Sequence, residues 1–440
     1  MAEGNDRMVK EPGCIVAAMD FYGELEWRGL IFDATEGARE ALSSEKVTGY
    51  IGFDPTAPSL HVGSLLVITI LARMQRHGHS PIAVVGGGTG LIGDPSGKTA
   101  ERQLLTPEDV EQNVQGIRAQ LSRFLDFEKS GNPARLVNNA DWLTRLGAIE
   151  FMRDVGKHFT VNAMVAKESV KRRMESEDGI SYTEFSYSLL QAYDYLMLYD
   201  LHDCTLQMGG SDQYGNILAG MDLIRRVRGG KAHGLVMPLI TTASGTKFGK
   251  TEEGAIWLDA SRTSPYVFYQ FWLNIEDHDA VRYLKFFTFL AAPEIEALQQ
   301  ASASEPERRH AQRALAREVT RMTHGDQAVR DAESAAEKLF AGDVSRMSVS
   351  ELLQAFPHVP STSVRRAAEG WRLLTLLTDA GVASSRSEAA RLIRSGGIYV
   401  NDRRVTDEKH QLSIDEAIEG QLFVLRRGKR DNFLVRITES

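Results

Sequence analysis

Over the first 240 residues, short apolar runs alternate with longer segments in which apolar residues recur at helical spacing. The apolar runs are typical of buried strands, and the longer segments are typical of helices. Strands that alternate with helices predict a parallel sheet covered on both faces. The predicted strands lie at 47–54, 81–88, 134–138, 205–210 and 235–240, and the predicted helices at 63–77, 106–127, 147–175, 184–200 and 211–227.

The pattern changes after residue 260, where strand-like runs stop. Residues 264–345 show helical periodicity, and the stretch PHVPSTS at 357–363 is typical of a linker. A final unit combines two short helices, at 371–380 and 385–395, with three strand-like runs. The sequence therefore predicts three domains, over 1–260, 261–356 and 364–440, with the linker 357–363 before the last.

Composition limits the class of protein and its compartment. Apolar residues make up 42% and charged residues 25% of the 440, which is ordinary for a globular protein with a large core. No run approaches the roughly 20 apolar residues that cross a bilayer, and the first residues lack the apolar core of a signal peptide. Cys14 and Cys204 match no zinc or redox spacing. We therefore expect a cytoplasmic protein that contacts no membrane.

Charge is distributed unevenly along the chain. The net charge is −8, but residues 361–440 hold 14 Lys and Arg against 11 Asp and Glu, a local balance of +3. An acidic body with a mildly basic tail is expected if only the tail meets a phosphate backbone. Random variation explains the same difference equally well, so the charge alone does not decide.

Two overlapping glycine-rich patterns point to different nucleotide sites. GTGLIG at 88–93 matches the dinucleotide pattern G-x-G-x-x-G, but the turn-like DPSG follows where that pattern needs a helix. GDPSGKT at 93–99 resembles a P-loop but is one residue short between its glycines. The remaining interpretation is a glycine-rich loop at the carboxyl edge of a parallel sheet, where ligands of such sheets bind.

Three segments carry candidate phosphate-binding chemistry. They are YIGFDPTAPSLHVGS at 50–64, TGLIGDPSGKTAER at 89–102 and KFGKT at 247–251. Two lysines on a glycine-containing loop can contact phosphates, although a solvated turn is the commoner explanation of such a pair taken alone. His61, at a predicted exit from a strand into a helix, favours a phosphate contact over a purely structural role.

These segments, in this order, resemble one enzyme family. HVGS resembles the HIGH sequence of class I aminoacyl-tRNA synthetases, and KFGKT resembles their KMSKS sequence. GFDPTAPSLHVGSL, GLIGDPSGK, SYSLLQAYDYL and QMGGSDQYGNI are similar to the tyrosine-specific bacterial members. The resemblance covers essentially the whole chain and implies an α/β fold. A Rossmann-like catalytic domain is followed by an all-helical domain that contacts the anticodon region and by a small α+β RNA-binding domain similar to a ribosomal-protein module.

The resemblance also implies an activity. Such a ligase joins tyrosine to ATP as an adenylate, releases pyrophosphate and transfers tyrosine to the 3′ end of tRNA(Tyr). It works as a homodimer, with Mg²⁺ bound to ATP and no dedicated protein metal site. No nucleophilic side chain is needed, because the enzyme holds the reactants in line and stabilises charge on the departing phosphates. The residues implied for catalysis are His61, Lys98, Arg102, Lys247, Lys250 and Thr251, and those for ATP are Gly52, Asp54, Thr56, His61, Gly63, Ser64, Gly210, Asp212, Lys247 and Lys250.

Two of these positions carry an alternative. Ser64 departs from the family, which usually has His at the end of HIGH, and a serine cannot reach as far toward the nucleotide. Asp212 stands at a predicted helix start, where a plain N-cap is the other interpretation.

The tyrosine specificity rests on one predicted helix. Tyr187, Gln191 and Asp194 share one helical face, and their apolar surroundings predict that this face points inward. Buried polar groups need partners, which an ammonium and a phenol would supply. By resemblance, the ammonium meets Tyr187, Gln191 and Asp94 with Asn139 nearby, the phenol meets Tyr50 and Asp194, and Gln213 lies near the reacting carboxylate.

Arginines in the tail are the candidate RNA contacts. Arg386, Arg391 and Arg394 surround one short predicted helix, and Arg403 and Arg404 follow in a predicted turn. A run of arginines is usually a solvated face, but the net basic tail and its resemblance to the family module favour phosphate contacts.

Three competing hypotheses stay open. The tryptophan-specific sister enzyme shares the fold and reaction but is not expected to carry Asp194 facing a phenol. A nonenzymatic RNA-binding descendant of the synthetase is favoured only by Ser64. A nicotinamide-dependent oxidoreductase rests on GTGLIG alone.

Overall fold

The computed structural model describes residues 19–92, 105–175, 179–240, 248–251, 254–340, 343–356, 359–367, 369–428 and 431–438. Their contacts divide them into two compact units. The first unit runs to residue 56 and continues with 67–115 and 125–239. The second unit contains 57–66, 116–124 and the residues from 240 onward.

The first unit is built on a six-stranded sheet in the order β1-β6-β5-β2-β3-β4. Its edge pair β1–β6 is antiparallel, and every other neighbouring pair is parallel. The predicted parallel sheet is therefore confirmed. The strands are β1 (Asp33–Ala34), β2 (Thr48–Phe53), β3 (Ser80–Val85), β4 (Arg135–Asn138), β5 (Cys204–Gly210) and β6 (His233–Met237).

Ten α-helices accompany this sheet among the residues that the structure describes. The short elements α1, α2 and β1 have too little periodicity to be predicted. The helical pattern predicted over 147–175 corresponds to several short helical elements, which include a π-turn and a 3-10 turn. The helices are α1 (Phe21–Arg28), α2 (Ala38–Ser44), α3 (Val62–Arg76), α4 (Pro107–Leu121), α5 (Ala140–Leu143), α6 (Ala148–Glu150), α7 (Val161–Val165), α8 (Glu168–Met174), α9 (Tyr182–His202) and α10 (Tyr214–Arg228).

The long helix α9 carries the predicted substrate face. It begins at the N-cap Ser181, whose side chain accepts the N–H of Glu184, and ends at Asp203 in the left-handed conformation. Tyr195 and Leu198 on α9 are fully buried in a cluster that also contains Ile82 and Trp142. The helix is thus held rigidly in the core of the first unit.

The part of the second unit that follows residue 248 begins with a two-stranded ribbon, and helices follow it as predicted. The helical region has an aromatic core in which Phe268, Trp272 and Phe287 are completely buried. The ribbon is β7 (Lys250–Thr251) with β8 (Gly254–Ala255), and the helices are α11 (Pro265–Leu273), α12 (Asp277–Phe287), α13 (Ala292–Ser304), α14 (His310–His324), α15 (Asp326–Phe340) and α16 (Val349–Ala355).

The tail is a small α+β structure, as predicted, around a sheet in the order β12-β11-β14-β15-β9. It contains β9 (Ser361–Arg365), β10 (Trp371–Arg372), α17 (Leu373–Asp379), α18 (Arg386–Arg394), β11 (Ile398–Val400), β12 (Arg403–Val405), β13 (Gln411–Leu412), β14 (Leu422–Arg427) and β15 (Asp431–Thr438).

Two local predictions for the tail are wrong. Residues 361–363 of the predicted linker belong to β9, which pairs in parallel with β15, because Ser and Thr fit an exposed edge strand as well as a loop. Arg403 and Arg404 lie in β12 rather than in a turn. The turn is formed by Asn401 and Asp402, which both have positive φ and are residue types that tolerate that conformation.

Both faces of the tail sheet are buried. Phe423 and Leu425 on β14 pack into a cluster with α17 and α18. Leu422 and Val424 point to the opposite face and pack against Met347 and α16. The segment before residue 357 therefore shares a core with the tail, while the three-domain division itself stays a prediction.

Candidate active site and RNA-binding residues

The strand order creates a switch point between β2 and β5. From β2 the chain continues to β3 and β4 on one side, and from β5 it continues to β6 on the other. Ligands of open parallel sheets bind at the carboxyl ends of the strands at such a point. Tyr50 pairs with Gln207 across the two strands, and Gly52 and Gly210 lie farther toward the carboxyl ends.

Asp194 is a buried carboxylate held by two neutral donors. It is 5% exposed, as the inward-facing prediction for this helix face requires. Asn139 donates its Nδ2–H to Oδ2 at 2.9 Å, and Trp142 donates its Nε1–H to Oδ1 at 2.7 Å. Burial raises the pKa of Asp194 to about 7, against the lowering effect of these two hydrogen bonds. The site thus holds an acceptor whose charge is not balanced by a cation in these contacts.

Tyr50 brings a second polar group to this region. Its side chain is 3% exposed, and its hydroxyl has no hydrogen-bond partner among the described residues. Burial, and then the charge of Asp194, raise the pKa of this phenol well above its usual value. The ring packs edge-on against Tyr195 with centroids 5.3 Å apart. A neutral hydroxyl and a carboxylate therefore lie in one buried neighbourhood, where a phenol would satisfy both.

The carboxamide of Asn139 makes all of its hydrogen bonds within the protein. Its Oδ1 accepts the N–H of Gly88 at 2.8 Å and that of Thr89 at 3.5 Å, and its Nδ2 donates to Thr89 Oγ1 and to Asp194. A carboxamide has two acceptor and two donor positions, so no capacity remains for a substrate. Asn139 was expected near the ammonium. The structure places it as a support for Asp194 and the glycine loop.

Trp142 was missed by the sequence reasoning. It lies in α5 and is 8% exposed. Neither its spacing nor its type distinguishes it from a core tryptophan, and only the packing of α5 near α9 shows its hydrogen bond to Asp194.

A cluster of amides lies one turn from Asp194 on α9. Gln191 donates to Gln213 Oε1 at 3.2 Å and accepts from Asn216 at 3.1 Å. Tyr187 on the same helix is 5% exposed, which confirms its predicted inward orientation. The structure therefore brings Gln191 and Gln213 together, and both were implied to contact the same amino acid. Asn216 joins them, although nothing in the sequence pointed to it.

Several residues implied for ATP binding lie at the carboxyl ends of β2 and β5 or just beyond them. No heavy atom of the described residues lies within 4 Å of a Cβ placed on Gly52, so the space beside its backbone is open. A Cβ on Gly210 would lie 2.6 Å from Asp212 Oδ1, so a side chain there would displace that carboxylate from its present position. The N-cap of α10 is Gln213, and Asp212 lies inside the preceding 3-10 turn. The alternative interpretation of Asp212 as a plain N-cap is therefore wrong. Asp54 accepts the N–H of the exposed Thr56 through its carbonyl at 2.9 Å.

HVGS lies in the second unit at the start of α3. Nδ1 of His61 accepts the N–H of Gly63 at 3.0 Å. An imidazole nitrogen that accepts a hydrogen bond carries no proton, which leaves Nε2–H as the donor of neutral His61. Ser64 donates its backbone N–H to the carbonyl of His61 at 2.8 Å. The segment thus folds back on itself through both the side chain and the backbone of His61.

Several implied residues lie outside the described part of the chain. They are Asp94, Lys98, Arg102 and Lys247, and for Lys250 and Thr251 only the backbone of β7 is described.

The tail arginines divide into two groups. Arg404 donates to the carbonyls of Gly396 and Ser395 at the end of α18, and Arg394 pairs with Glu408 at 2.6 Å. All five side chains are exposed, and Arg386, Arg391 and Arg403 make no such contact among the described residues. The first two arginines thus have structural partners, and the other three present their side chains to solvent.

The described ranges contain no group of three or more His, Cys, Asp or Glu side chains arranged to hold a metal ion. Within the same ranges, no helix has the length and apolar character needed to cross a membrane.

The chain matches two family models. The model described as "tRNA synthetases class I (W and Y)" covers residues 42–341, and the "Tyrosine--tRNA ligase SYY-like C-terminal domain" covers residues 351–435. The chain therefore belongs to the class I tRNA synthetases of the tryptophan and tyrosine group, which confirms the family and the predicted fold class.

Within this group, the similar curated proteins are tyrosine--tRNA ligases. The tyrosine--tRNA ligase of Roseiflexus castenholzii is 55% identical over 417 residues, which span 94% of this chain and 98% of the relative. That of Geobacillus kaustophilus is 53% identical over 423 residues, or 95% of this chain and 100% of the relative. A truncated Aspergillus nidulans mitochondrial tyrosyl-tRNA synthetase is 33% identical with a TM-score of 0.67, covering 73% of this chain and 94% of that structure.

Proposed function

We propose that the protein activates L-tyrosine with ATP to tyrosyl-adenylate and then transfers the tyrosine to tRNA(Tyr). The observation that carries the proposal is the buried carboxylate of Asp194, which Asn139 and Trp142 hold near the hydroxyl of Tyr50. That hydroxyl has no hydrogen-bond partner in the described part of the chain. Its position beside the switch point of a class I synthetase fold is where the amino acid would lie. The tyrosine–tRNA ligases that resemble the chain over nearly its whole length support the same assignment.

Selectivity for tyrosine follows from these two groups. The phenol of tyrosine donates to Asp194 and meets the hydroxyl of Tyr50. Phenylalanine leaves the Tyr50 hydroxyl unsatisfied and leaves Asp194 with only its two neutral donors, Asn139 and Trp142. An unsatisfied buried polar group costs about 1–3 kcal/mol, more if it is charged. The indole of tryptophan carries its N–H elsewhere on a larger ring, so it does not reproduce the contact.

The activation step needs donors around the phosphates. The tyrosine carboxylate attacks the α-phosphorus of ATP, and the bond to the departing pyrophosphate breaks. We assign phosphate contacts to Thr56, His61, Lys98, Arg102, Lys247, Lys250 and Thr251, and sugar contacts to Gly210 and Asp212. Neutral His61 with its proton on Nε2 is a donor suited to an oxyanion. Mg²⁺ would arrive bound to the triphosphate, as this octahedral ion usually does.

The second step needs tRNA. We propose that α11–α15 face the anticodon region and that Arg386, Arg391 and Arg403 contact the phosphate backbone. Their exposed side chains support this assignment, because a free guanidinium can exchange counterions with RNA. Arg394 and Arg404 would contribute mainly by shaping the same surface.

We propose that the protein acts as a homodimer in the cytoplasm. Ten large apolar side chains are exposed among the described residues, and five of them lie within the short stretch 149–182. A second copy of the chain would cover such a concentration. Sedimentation of Ile149→Asp (76% exposed) is expected to show monomers, whereas Leu201→Asp (58% exposed), outside this stretch, should remain dimeric. A dimeric Ile149→Asp protein would contradict the assignment of this surface to the dimer interface.

The free thiol of Cys204 is consistent with a reducing compartment.

The test is ATP–pyrophosphate exchange with tyrosine, phenylalanine and tryptophan in parallel. We expect exchange with tyrosine alone, loss of selectivity in Asp194→Ala and loss of rate in Lys250→Ala. Exchange with tryptophan alone would mean that the substrate residues are wrongly assigned. A folded protein that binds tRNA but exchanges none of the three would favour the nonenzymatic RNA-binding function, with Ser64 as the first residue to revert to His.

A further inference from the structure

The HVGS and KFGKT segments share one hydrogen-bonded patch of backbone in the second unit. Leu258 donates its N–H to the carbonyl of Leu60 at 2.8 Å, and Val62 donates to Ile256 at 2.9 Å. Ile256 in turn donates to Gly249 at 3.0 Å. The ribbon β7–β8 continues this patch as far as residue 251. The position of one segment is therefore linked to that of the other through residues 254–258.

The two segments also touch directly at Gly249. Its φ of 82° is in the left-handed region, and a Cβ there would lie 2.5 Å from Val62 Cγ2 and 3.3 Å from the nitrogen of Gly63. No side chain fits between the two backbones. Gly249 thus allows the KFGKT backbone to lie against HVGS, but it provides no side chain to hold it there.

The neighbouring Phe248 provides that side chain. It is 6% exposed and lies among four rings of α11 and α12. Its ring centroid is 5.0 Å from that of Tyr283 and 5.5 Å from that of Phe271, both edge-on, and it stacks on Phe287 at 5.4 Å. Trp272 lies 5.6 Å away. Aromatic pairs of this geometry add to the free energy of burial.

We propose that Phe248 is a positioning residue for the phosphate-binding lysines. The inference rests on the proposed function, because Lys247 and Lys250 flank Phe248 and Gly249 in the sequence and receive their role from it. Phe248 is anchored in the helical core, so the position of the backbone at residues 248–251 is fixed at that end. Without this anchor, the backbone at residues 248–251 would keep the β7–β8 ribbon, the bonds around Ile256 and a 3.4 Å bond from the Phe248 N–H to the carbonyl of Ile240, but would lose its aromatic packing.

Loss of this anchor should have a measurable effect on the rate of activation. Lysines that stabilise a departing pyrophosphate act on the transition state, and misplacement by about 1 Å of a group that orients reactants can cost on the order of a hundredfold in rate. A loosened loop is therefore expected to lower kcat for activation. The KM for tyrosine should stay unchanged, because the residues assigned to tyrosine lie in the first unit.

Four variants test the proposal in ATP–pyrophosphate exchange with the full chain. Phe248→Ala removes the anchor, and Phe287→Leu removes its stacked partner without altering the loop sequence. Phe248→Met keeps a long apolar side chain and should restore most of the rate. Phe268→Leu is the control, since Phe268 is completely buried on α11 and packs against Trp272 and His324 instead of Phe248.

We expect kcat to fall about tenfold to a hundredfold in Phe248→Ala, and in the same direction but less in Phe287→Leu, with KM for tyrosine unchanged. Phe268→Leu should lower thermal stability and leave kcat within about twofold. Wild-type kcat in Phe248→Ala, or an equal loss of kcat in Phe268→Leu, would overturn the positioning role alone. A wild-type protein without tyrosine-dependent exchange would instead overturn the proposed function, and this proposal with it.

Discussion

The indole N–H of Trp142 donates a 2.7 Å hydrogen bond to Oδ1 of Asp194. The two residues lie 52 positions apart, on α5 and α9, and both are buried. Together with Asn139 on Oδ2, this bond orients the carboxylate that the proposed function assigns to the phenol. The contact identifies a support for substrate selection that is not itself a substrate ligand.

Trp142→Phe is expected to weaken tyrosine binding. The variant keeps a large ring but removes a hydrogen bond to a charged acceptor, a bond worth about 1.5–3 kcal/mol, so the Kd for tyrosine should rise roughly tenfold to a hundredfold. Equilibrium titration of tyrosine measures this. Trp272→Phe is the matched control, because the Nε1 of Trp272 has no hydrogen-bond partner among the described residues. Equal affinities of the wild type and Trp142→Phe would contradict the support role.

Asp194→Asn is expected to change how stability depends on pH. The pKa of Asp194 is raised from 3.8 to about 7 by burial, so the folded state holds this proton more tightly than the unfolded state. Ionising the buried Asp194 therefore lowers the free energy of unfolding. This loss is absent below about pH 4, grows as pH rises and is complete above about pH 7, where it is at most on the order of 4 kcal/mol.

Urea unfolding at several pH values tests this. From pH 5 to pH 8, the free energy of unfolding of the variant should improve relative to the wild type, whatever the offset caused by losing an acceptor. A difference between the two proteins that does not vary with pH would show that Asp194 is ionised normally in the free enzyme.

Glu24→Gln is expected to destabilise the first unit. Glu24 pairs with the buried Arg28 and Arg73 and with His77. Although burial raises it, the pKa of Glu24 is lowered to about 2 by these partners, so its contribution is present above about pH 4.5 and is lost as pH falls toward 2. Removing one member of a buried ionic cluster costs about 3–5 kcal/mol.

Urea unfolding at pH 7 measures the effect of Glu24→Gln. Its control on the same helix is Glu26→Gln, whose partner Arg39 and own side chain are both more than half exposed. That variant should stay within about 0.5 kcal/mol of the wild type. Similar losses in the two variants would mean that the buried arginines do not depend on Glu24.

Arg403→Ala and Arg404→Ala are expected to separate RNA binding from folding. Arg403 is exposed, so its loss should weaken tRNA binding and reduce the slope of log affinity against log salt by about 0.7–0.9 for one phosphate contact. Arg404 holds two carbonyls at the end of α18, so its loss should lower the free energy of unfolding by about 1 kcal/mol. Filter binding and urea unfolding distinguish them, with tyrosine-dependent exchange unchanged in both. An unaltered salt slope in Arg403→Ala would remove it from the RNA contacts.

Much of the fold and part of the site could be predicted from the sequence. The strands β2 to β6 and helix α9 have strong periodicity, and Tyr187 and Asp194 share a helical face, so their burial followed from spacing. Residues 361–363 were misassigned because an exposed edge strand and a linker have similar composition. The supporting roles of Asn139 and Trp142 could not be predicted, since each depends on a packing partner more than 50 positions away.

The sequence by itself determined the reaction class, because the short segments that resemble the synthetase family, and their order along the chain, can be recognised without coordinates. It also determined which helix carries the substrate face, since helical periodicity is local as well. Only the tertiary structure decided that Asp194 is held by two neutral donors, that Asn139 has no free hydrogen-bonding capacity and that Phe248 is buried among the rings of α11 and α12. These are properties of packing, and packing depends on groups brought together from distant parts of the chain.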